Sequence, residues 1–169
     1  MDDLTRWYAI YTRSRHEKVV EEELRRKEIE TFLPLREILS QWKDRKQLVQ
    51  VPLFAGYVFV HVPLQQRRLD ILKVAGVSRI IGFNNHPQSI PEEEIEAVQK
   101  FLNTTIKYDP YPYLNIGQRV EIRRGALRGL QGILIKKKNK FKFILSVHLI
   151  QQSVALEIDA SDVEPIGMR

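Results

Sequence analysis

The sequence predicts an α+β chain: a split-βαβ, ferredoxin-like sandwich followed by a small SH3-like β-barrel. Two observations carry this. Over residues 6–102, strand-like alternation and helix-like spacing take turns, in the order strand, helix, two or three strands, helix, strand, helix. Beyond residue 115 the texture changes to short strands, punctuated by Gly125, Gly129, Gly132 and the Lys-Asn-Lys of 138–140. Between them "NTTIKYDPYPYLN" holds two prolines, three tyrosines and small polar residues, and reads as a linker. The expected division is a domain over 1–102, a linker over 103–114 and a second domain over 115–169.

Each element has its own signal. "RWYAIYTR" alternates as a strand, with Trp7, Ala9 and Tyr11 on one face and Tyr8 and Ile10 on the other. Ser14 and Glu17 have the spacing of a capping box, so a helix is expected to start there and run to about Lys27. Its inner stripe is Val20 and Leu24. "IETFLPLREIL" is strand-like around Pro34, and "SQWKDRKQLVQVPL" suits a hairpin arm.

"PLFAGYVFV" then alternates again: Tyr57, Phe59 and His61 share one face, Val58, Val60 and Val62 the other. The valine face is expected to hold the strand to its own helices. "LQQRRLDILKVAG" has helical spacing at Leu69, Leu72 and Leu64, with Gly76 placed to end it. "VSRIIGF" is a short strand. "SIPEEEIEAVQKFL" is a helix with Pro91 near its first turn, glutamates at its positive end, and Ile95, Val98, Phe101 and Leu102 inward.

Composition bounds the function. The 169 residues are 43% hydrophobic and 28% charged, as in an ordinary globular protein. The chain has no cysteine, which excludes disulfides and thiolate metal sites and points to a reducing cytoplasm. No apolar run approaches the ~20 residues of a membrane span, and "MDDLTRW" is unlike a signal peptide. The net charge of +6 permits a nucleic-acid partner. It is uneven: residues 1–112 hold 17 basic against 16 acidic side chains, residues 113–169 hold 10 against 5. The run Lys136, Lys137, Lys138 equally suits a solvated hairpin edge.

Catalytic patterns are missing. His16, His61, His86 and His148 lie far apart without metal-ligand spacing. The two "EEE" runs sit on helices where neighbours diverge, and there is no phosphate loop or nucleophile elbow. A non-enzymatic binding protein without cofactor or metal is expected. On the residues alone, the rings of Trp7, Tyr11, Tyr57 and Phe59 most readily close an ordinary core under the third helix.

In order and spacing, "WYAIYTRSRHEKVVEEEL", "PLFAGYVFV", "AGVSRIIGF" and "SIPEEEIEAV" resemble the N-terminal (NGN) domain of NusG transcription factors. "IGQRVEIRRGALRGLQGILI" and "VALEIDASDVEPI" look like the KOW domain that follows it in that family. "LPLREILSQWKDRKQLVQVPLFAGYVFV" is especially similar to specialised paralogues of the UpxY and RfaH type, which act on particular operons. The resemblance spans nearly the whole chain.

It implies a monomeric elongation and antitermination factor whose first domain binds the clamp helices of the largest RNA polymerase subunit. The family's pocket falls on Trp7, Tyr11, Phe54, Ala55, Tyr57 and Phe59, with alanine where relatives usually have proline. Contacts to the non-template DNA strand fall on Arg13, Arg15 and His16, and on Gln66, Arg67 and Arg68. Lys43, Arg45 and Lys46 beside Trp42 form a further basic loop that suits upstream DNA. In the KOW domain, Ile150 in "LIQQS" stands at the partner-contact position, which favours a small-subunit ribosomal protein over Rho. An RNA- or ribosome-binding KOW protein that does not act through the polymerase is the competing function.

Overall fold

The computed structural model describes residues 3–104, 106–114 and 116–167, with Trp42 described by its backbone alone. Contacts divide the chain into two compact units, residues 1–92 and 93–169. The division falls after the first residue of the third helix, whereas the expected boundary lies at its end.

The first unit opens with β1 (Thr5–Thr12), α1 (Glu17–Arg26) and β2 (Glu30–Phe32). A two-stranded hairpin follows, β3 (Leu35–Trp42) and β4 (Arg45–Pro52). Next come β5 (Tyr57–Pro63), α2 (Leu64–Leu72), β6 (Val77–Ile80), and a short pair, β7 (Gly82–Phe83) and β8 (His86–Pro87). The main sheet has the order β2-β5-β1-β6. Both β1 and β2 run antiparallel to β5, so they are parallel to each other with β5 between them. By the same logic β5 and β6 are parallel with β1 between them. Two βαβ units, each split by a strand of the other, are the ferredoxin-like arrangement the alternation predicts.

The two helices cover one face of this sheet. Tyr8 and Ile10 of β1, with Val58, Val60 and Val62 of β5, pack with Val20 and Leu24 of α1 and Leu64 and Ile71 of α2. The valine face therefore holds the helices, as its alternation implies.

Two local expectations are corrected. The Ser14–Glu17 capping box does not form: the N-cap is His16, with no side-chain cap, and Glu17 is buried with its carboxylate turned elsewhere. On α2, Leu69 is 68% exposed and Leu72 is also on the outside. The inner side runs Leu64, Arg67 and Ile71 along α2 and continues to Val74 just past its end, with an arginine in the second place. The arginine interrupts the apolar period, so the spacing of Leu69 and Leu72 marks the outer face instead.

The second unit contains nearly all of α3 (Glu92–Leu102) and the strands β9 (Tyr108–Tyr111), β10 (Gln118–Ile122), β11 (Gln131–Lys137), β12 (Lys140–Val147), β13 (Gln152–Ile158) and β14 (Val163–Pro165). They form one antiparallel sheet, β14-β10-β11-β12-β13-β9, that fits a small barrel-like domain. β9 lies inside the stretch read as a linker, and it pairs with β13. Cross-strand contacts of Ile144 with Ile133 and Ala155 form one cluster of its core. The apolar stripe of α3 is Ile95, Val98 and Phe101, and Phe101 meets Phe143 and Tyr108 with ring centroids 6.5 and 5.6 Å apart.

Candidate functional site

The face of the first sheet opposite α1 and α2 is built by register. Residues paired across an antiparallel ladder point the same way. Three rows result: Glu30, His61 and Trp7; Phe32, Phe59 and Ala9; Tyr57, Tyr11 and Arg79. Trp7 stacks on His61 at 4.7 Å and meets Phe32 edge-on at 6.4 Å. Phe32 lies on Phe59 at 6.0 Å, and Phe59 meets Phe54 edge-on at 6.3 Å. Tyr11 and Tyr57 form a separate tilted pair at 5.3 Å, with the Arg79 guanidinium 5.3 Å from the Tyr11 ring centre.

The face thus has a floor and a rim. Phe59 and Phe54 are 0% and 1% exposed, and Trp7 is buried. Tyr11 is 37% exposed, Tyr57 is half-buried, and Ala55 is exposed at the head of the turn between them. Burial holds the Tyr57 phenol above its ordinary value; the nearby Tyr11 adds to this and Arg79 opposes it.

A carboxylate fixes this turn. The Gly56 N–H donates to Glu17 Oε2 at 2.8 Å, so the helix-capping candidate instead ties α1 to the pocket turn. Gly56 has φ of +90°, and a Cβ there would sit 3.0 Å from Cε1 of Tyr11. Only glycine allows both the left-handed turn and the close approach of that ring.

The expected basic groups are placed along α2 rather than in one cluster. The Arg13 N–H donates to Gly76 O at 2.8 Å, which sets Arg13, Arg15 and His16 beside the loop after α2. All three are exposed, and Arg15 has φ of +63°. Gln66, Arg67 and Arg68 lie in the first turns of α2. There the carboxylate of Asp3 caps the helix, accepting from the Gln65 and Gln66 N–H groups at 3.2 and 3.1 Å. Arg67 is engaged within the fold, its Nη2 donating to Lys27 O at 2.6 Å and its Nε to Asp70 at 3.0 Å. Arg68 is exposed and has no ion pair among the described residues.

The remaining candidates separate. Lys43, Arg45 and Lys46 are exposed around the tip of the β3–β4 hairpin, while the Trp42 side chain lies outside the described residues. Ile150 is buried within the turn over 148–151. Next to it, the His148 N–H donates to Glu94 of α3 at 2.9 Å.

Sequence reasoning missed Phe32, Arg79 and Glu17. Phe32 was visible in principle, since "ETF" alternates with its ring on the Phe59 side. Arg79 and Glu17 depend on register and on a turn far along the chain, which no local pattern carries.

Comparison with known proteins agrees with this architecture. The family model for transcription termination factor NusG matches residues 5–99. The transcription termination/antitermination protein NusG of Helicobacter pylori (strain J99) is 26% identical over 172 residues, spanning 95% of this chain and 98% of its own length. NusG of Borreliella burgdorferi is 22% identical over 182 residues, with 95% and 98% covered. A solved structure of Thermotoga maritima NusG superposes with a TM-score of 0.57 at 18% identity, covering 96% of this chain and 98% of that one. With the split-βαβ sheet, the barrel-like second unit and a family match over more than half its length, the chain belongs to the NusG family of transcription termination/antitermination factors.

Proposed function

We propose that this protein is a cytoplasmic, monomeric elongation regulator that docks on RNA polymerase and promotes processive antitermination of particular operons. The observation that carries this is the ring ladder from Trp7 through Phe32 and Phe59 to Phe54, with Tyr11 and Tyr57 at its open rim. Aromatic groups concentrate interface energy because they bury large area with few rotatable bonds. A helical partner, the clamp helices of the largest subunit, would lie along the rim above Ala55 and Gly56. The ladder acts here as the rigid base that sets the two tyrosines.

Arg68, with Arg13, Arg15, His16 and Gln66, would meet the displaced non-template strand; Arg67 would serve the fold. In this reading 1–102 acts as the NGN domain and 115–169 as the KOW domain. The KOW partner, a small-subunit ribosomal protein in preference to Rho, would engage the turn over 148–151 once Ile150 is uncovered.

The test is transcription in vitro past an intrinsic terminator with purified polymerase. Addition of the protein should raise readthrough on a template from its own operons, and Tyr11→Ala with Tyr57→Ala should abolish the gain. Readthrough unaffected by the wild-type protein would defeat the proposal.

A further inference from the structure

The second unit carries an apolar surface that its own chain covers. Along β11, β12 and β13 the side chains divide between opposite faces. Phe143, Leu145, Val154 and Leu156 share one; Ile133, Ile144 and Ala155, with Ser146 and Ser153, share the other. Ile133, Ile144 and Ala155 are 9%, 1% and 5% exposed, so this other face is covered as well. Its cover includes the segment 108–114, whose Tyr111 and Leu114 pack on those residues.

Side chains of β12, β13 and the turn between them fasten the segment. Ser146 Oγ donates to Leu114 O at 3.1 Å, the Leu114 N–H donates to Ser153 Oγ at 3.3 Å, and the two hydroxyls lie 2.6 Å apart. The Tyr113 hydroxyl and His148 Nδ1 are hydrogen-bonded at 2.9 Å, which ties the segment to the turn over 148–151. Lys142 Nζ stands 5.6 Å from the centre of the Tyr111 ring. Ahead of these contacts β9 runs along the edge of β13, from Tyr108 opposite Leu156 to Tyr111 opposite Ser153.

The cover and the surface beneath it are unequal. Ser153, Val154, Ala155 and Leu156 are all buried, whereas no residue of 108–114 is. Pro110 and Pro112 have no N–H groups, so the segment is suited to ending the sheet rather than extending it. Lifting it would bare an apolar face and a sheet edge together, the combination that accepts an extended chain by backbone pairing. Ile133, Ile144 and Ser146 also line a cleft of about 630 Å³ shared with α3, so the same surface is reached from a second side.

We infer that residues 108–114 are a displaceable strap, and that the β13 edge and the Ile133–Ile144–Ala155 face take an extended protein segment in its place. Such a segment would pair along β13, lay an apolar side chain where Leu114 sits and set an aromatic ring beside Lys142. Displacement breaks the Tyr113–His148 bond, so occupying the face and freeing the turn are one event. The inference rests on the reading that the second unit recruits a protein partner at that turn, and it adds a competitor held within the chain itself.

Two NMR measurements on the full ¹⁵N,¹³C-labelled chain test this. In native-state hydrogen exchange, the amides of Asp109, Tyr111 and Leu114 should exchange at least about a hundredfold faster than those of 143–145, with little dependence on low urea. Exchange of both sets at one rate, rising together with urea, would make 108–114 an integral strand and overturn the strap. In the second, a synthetic peptide of residues 106–114 is titrated into the wild type and into Tyr111→Ser with Leu114→Ser. The variant should bind it at least about tenfold more tightly, because the wild-type strap competes at an effective concentration on the order of millimolar. The methyl signals of Ile133, Ile144 and Ala155 should shift as it binds.

Equal binding to the two chains, or no binding to a folded variant, would overturn the inference. Should the variant fail to fold, exchange in the wild type decides alone. Neither measurement involves polymerase or ribosome, so their failure leaves the antitermination reading standing, and failure of the transcription test leaves the strap standing.

Discussion

Glu17→Ala offers a sharp test of how the pocket turn is held. The Glu17 side chain is buried, and its carboxylate accepts the Gly56 N–H at 2.8 Å. Removing it leaves a half-buried amide without its partner and a void at the base of α1. Hydrogen bonds to a charged group contribute about 1.5–3 kcal/mol. For a unit of this size each kcal/mol moves the midpoint by about 4–8 °C, so a fall of roughly 10 °C is expected. Thermal and urea unfolding followed by circular dichroism measure it. Ser14→Ala is the control: a capping box would make the two variants comparably destabilised, whereas the observed geometry makes Ser14→Ala silent to within about 0.5 kcal/mol. A Glu17→Ala variant as stable as the wild type, or a Ser14→Ala variant as weak as Glu17→Ala, would show that Glu17 does not hold the turn.

Other outcomes follow from the same structure. Gly56→Ala should cost about 1–2 kcal/mol from the left-handed backbone and displace the Tyr11 ring, read as a shift of its ring-proton NMR signals. Arg67→Ala should lower stability by roughly 1–3 kcal/mol through the lost bonds to Lys27 O and Asp70, while Arg68→Ala leaves the urea midpoint unchanged. Leu69→Lys should be neutral in the same assay and Ile71→Ala should cost about 2–5 kcal/mol, since only Ile71 is buried. For pH, Tyr8 and Tyr57 are both held above 10, chiefly by burial. The folded state therefore keeps these protons longer, so their contribution is complete below pH 10 and is lost as pH rises through the folded values. Stability measured from pH 9 to 12 should fall, and Tyr57→Phe should shallow the fall.

Much of the fold was legible because its determinants are local. The alternation in Trp7–Tyr11 and Tyr57–Val62 assigned faces correctly, and the register confirms them pair by pair. Val20, Leu24, Ile95, Val98 and Phe101 were read from helical spacing alone. What escaped the sequence depends on tertiary context. Arg67 occupies a buried stripe because its guanidinium finds Lys27 O forty residues away, so the apolar period of α2 looked displaced. Glu17 sits at capping spacing, yet a turn thirty-nine residues on competes for its carboxylate and wins. Tyr108–Tyr111 looked like linker because of its proline, but an edge strand tolerates proline where no ladder donor is needed.

The candidate site divides the same way. Membership of Trp7, Tyr11, Tyr57 and Phe59 on one face was readable once the two strands were taken as neighbours. Their separation into a buried floor and an exposed rim was not, because exposure depends on everything packed around a residue.

The exposed rim of Tyr11 and Tyr57 is the proposed docking surface. Binding of core RNA polymerase to immobilised protein, measured for the wild type and for Tyr11→Ala with Tyr57→Ala, tests it most directly. The expected result is a loss of affinity of at least about thirtyfold, the scale of an interface anchor, with the unfolding midpoint of the variant close to that of the wild type. Equal affinity for the two proteins would contradict it.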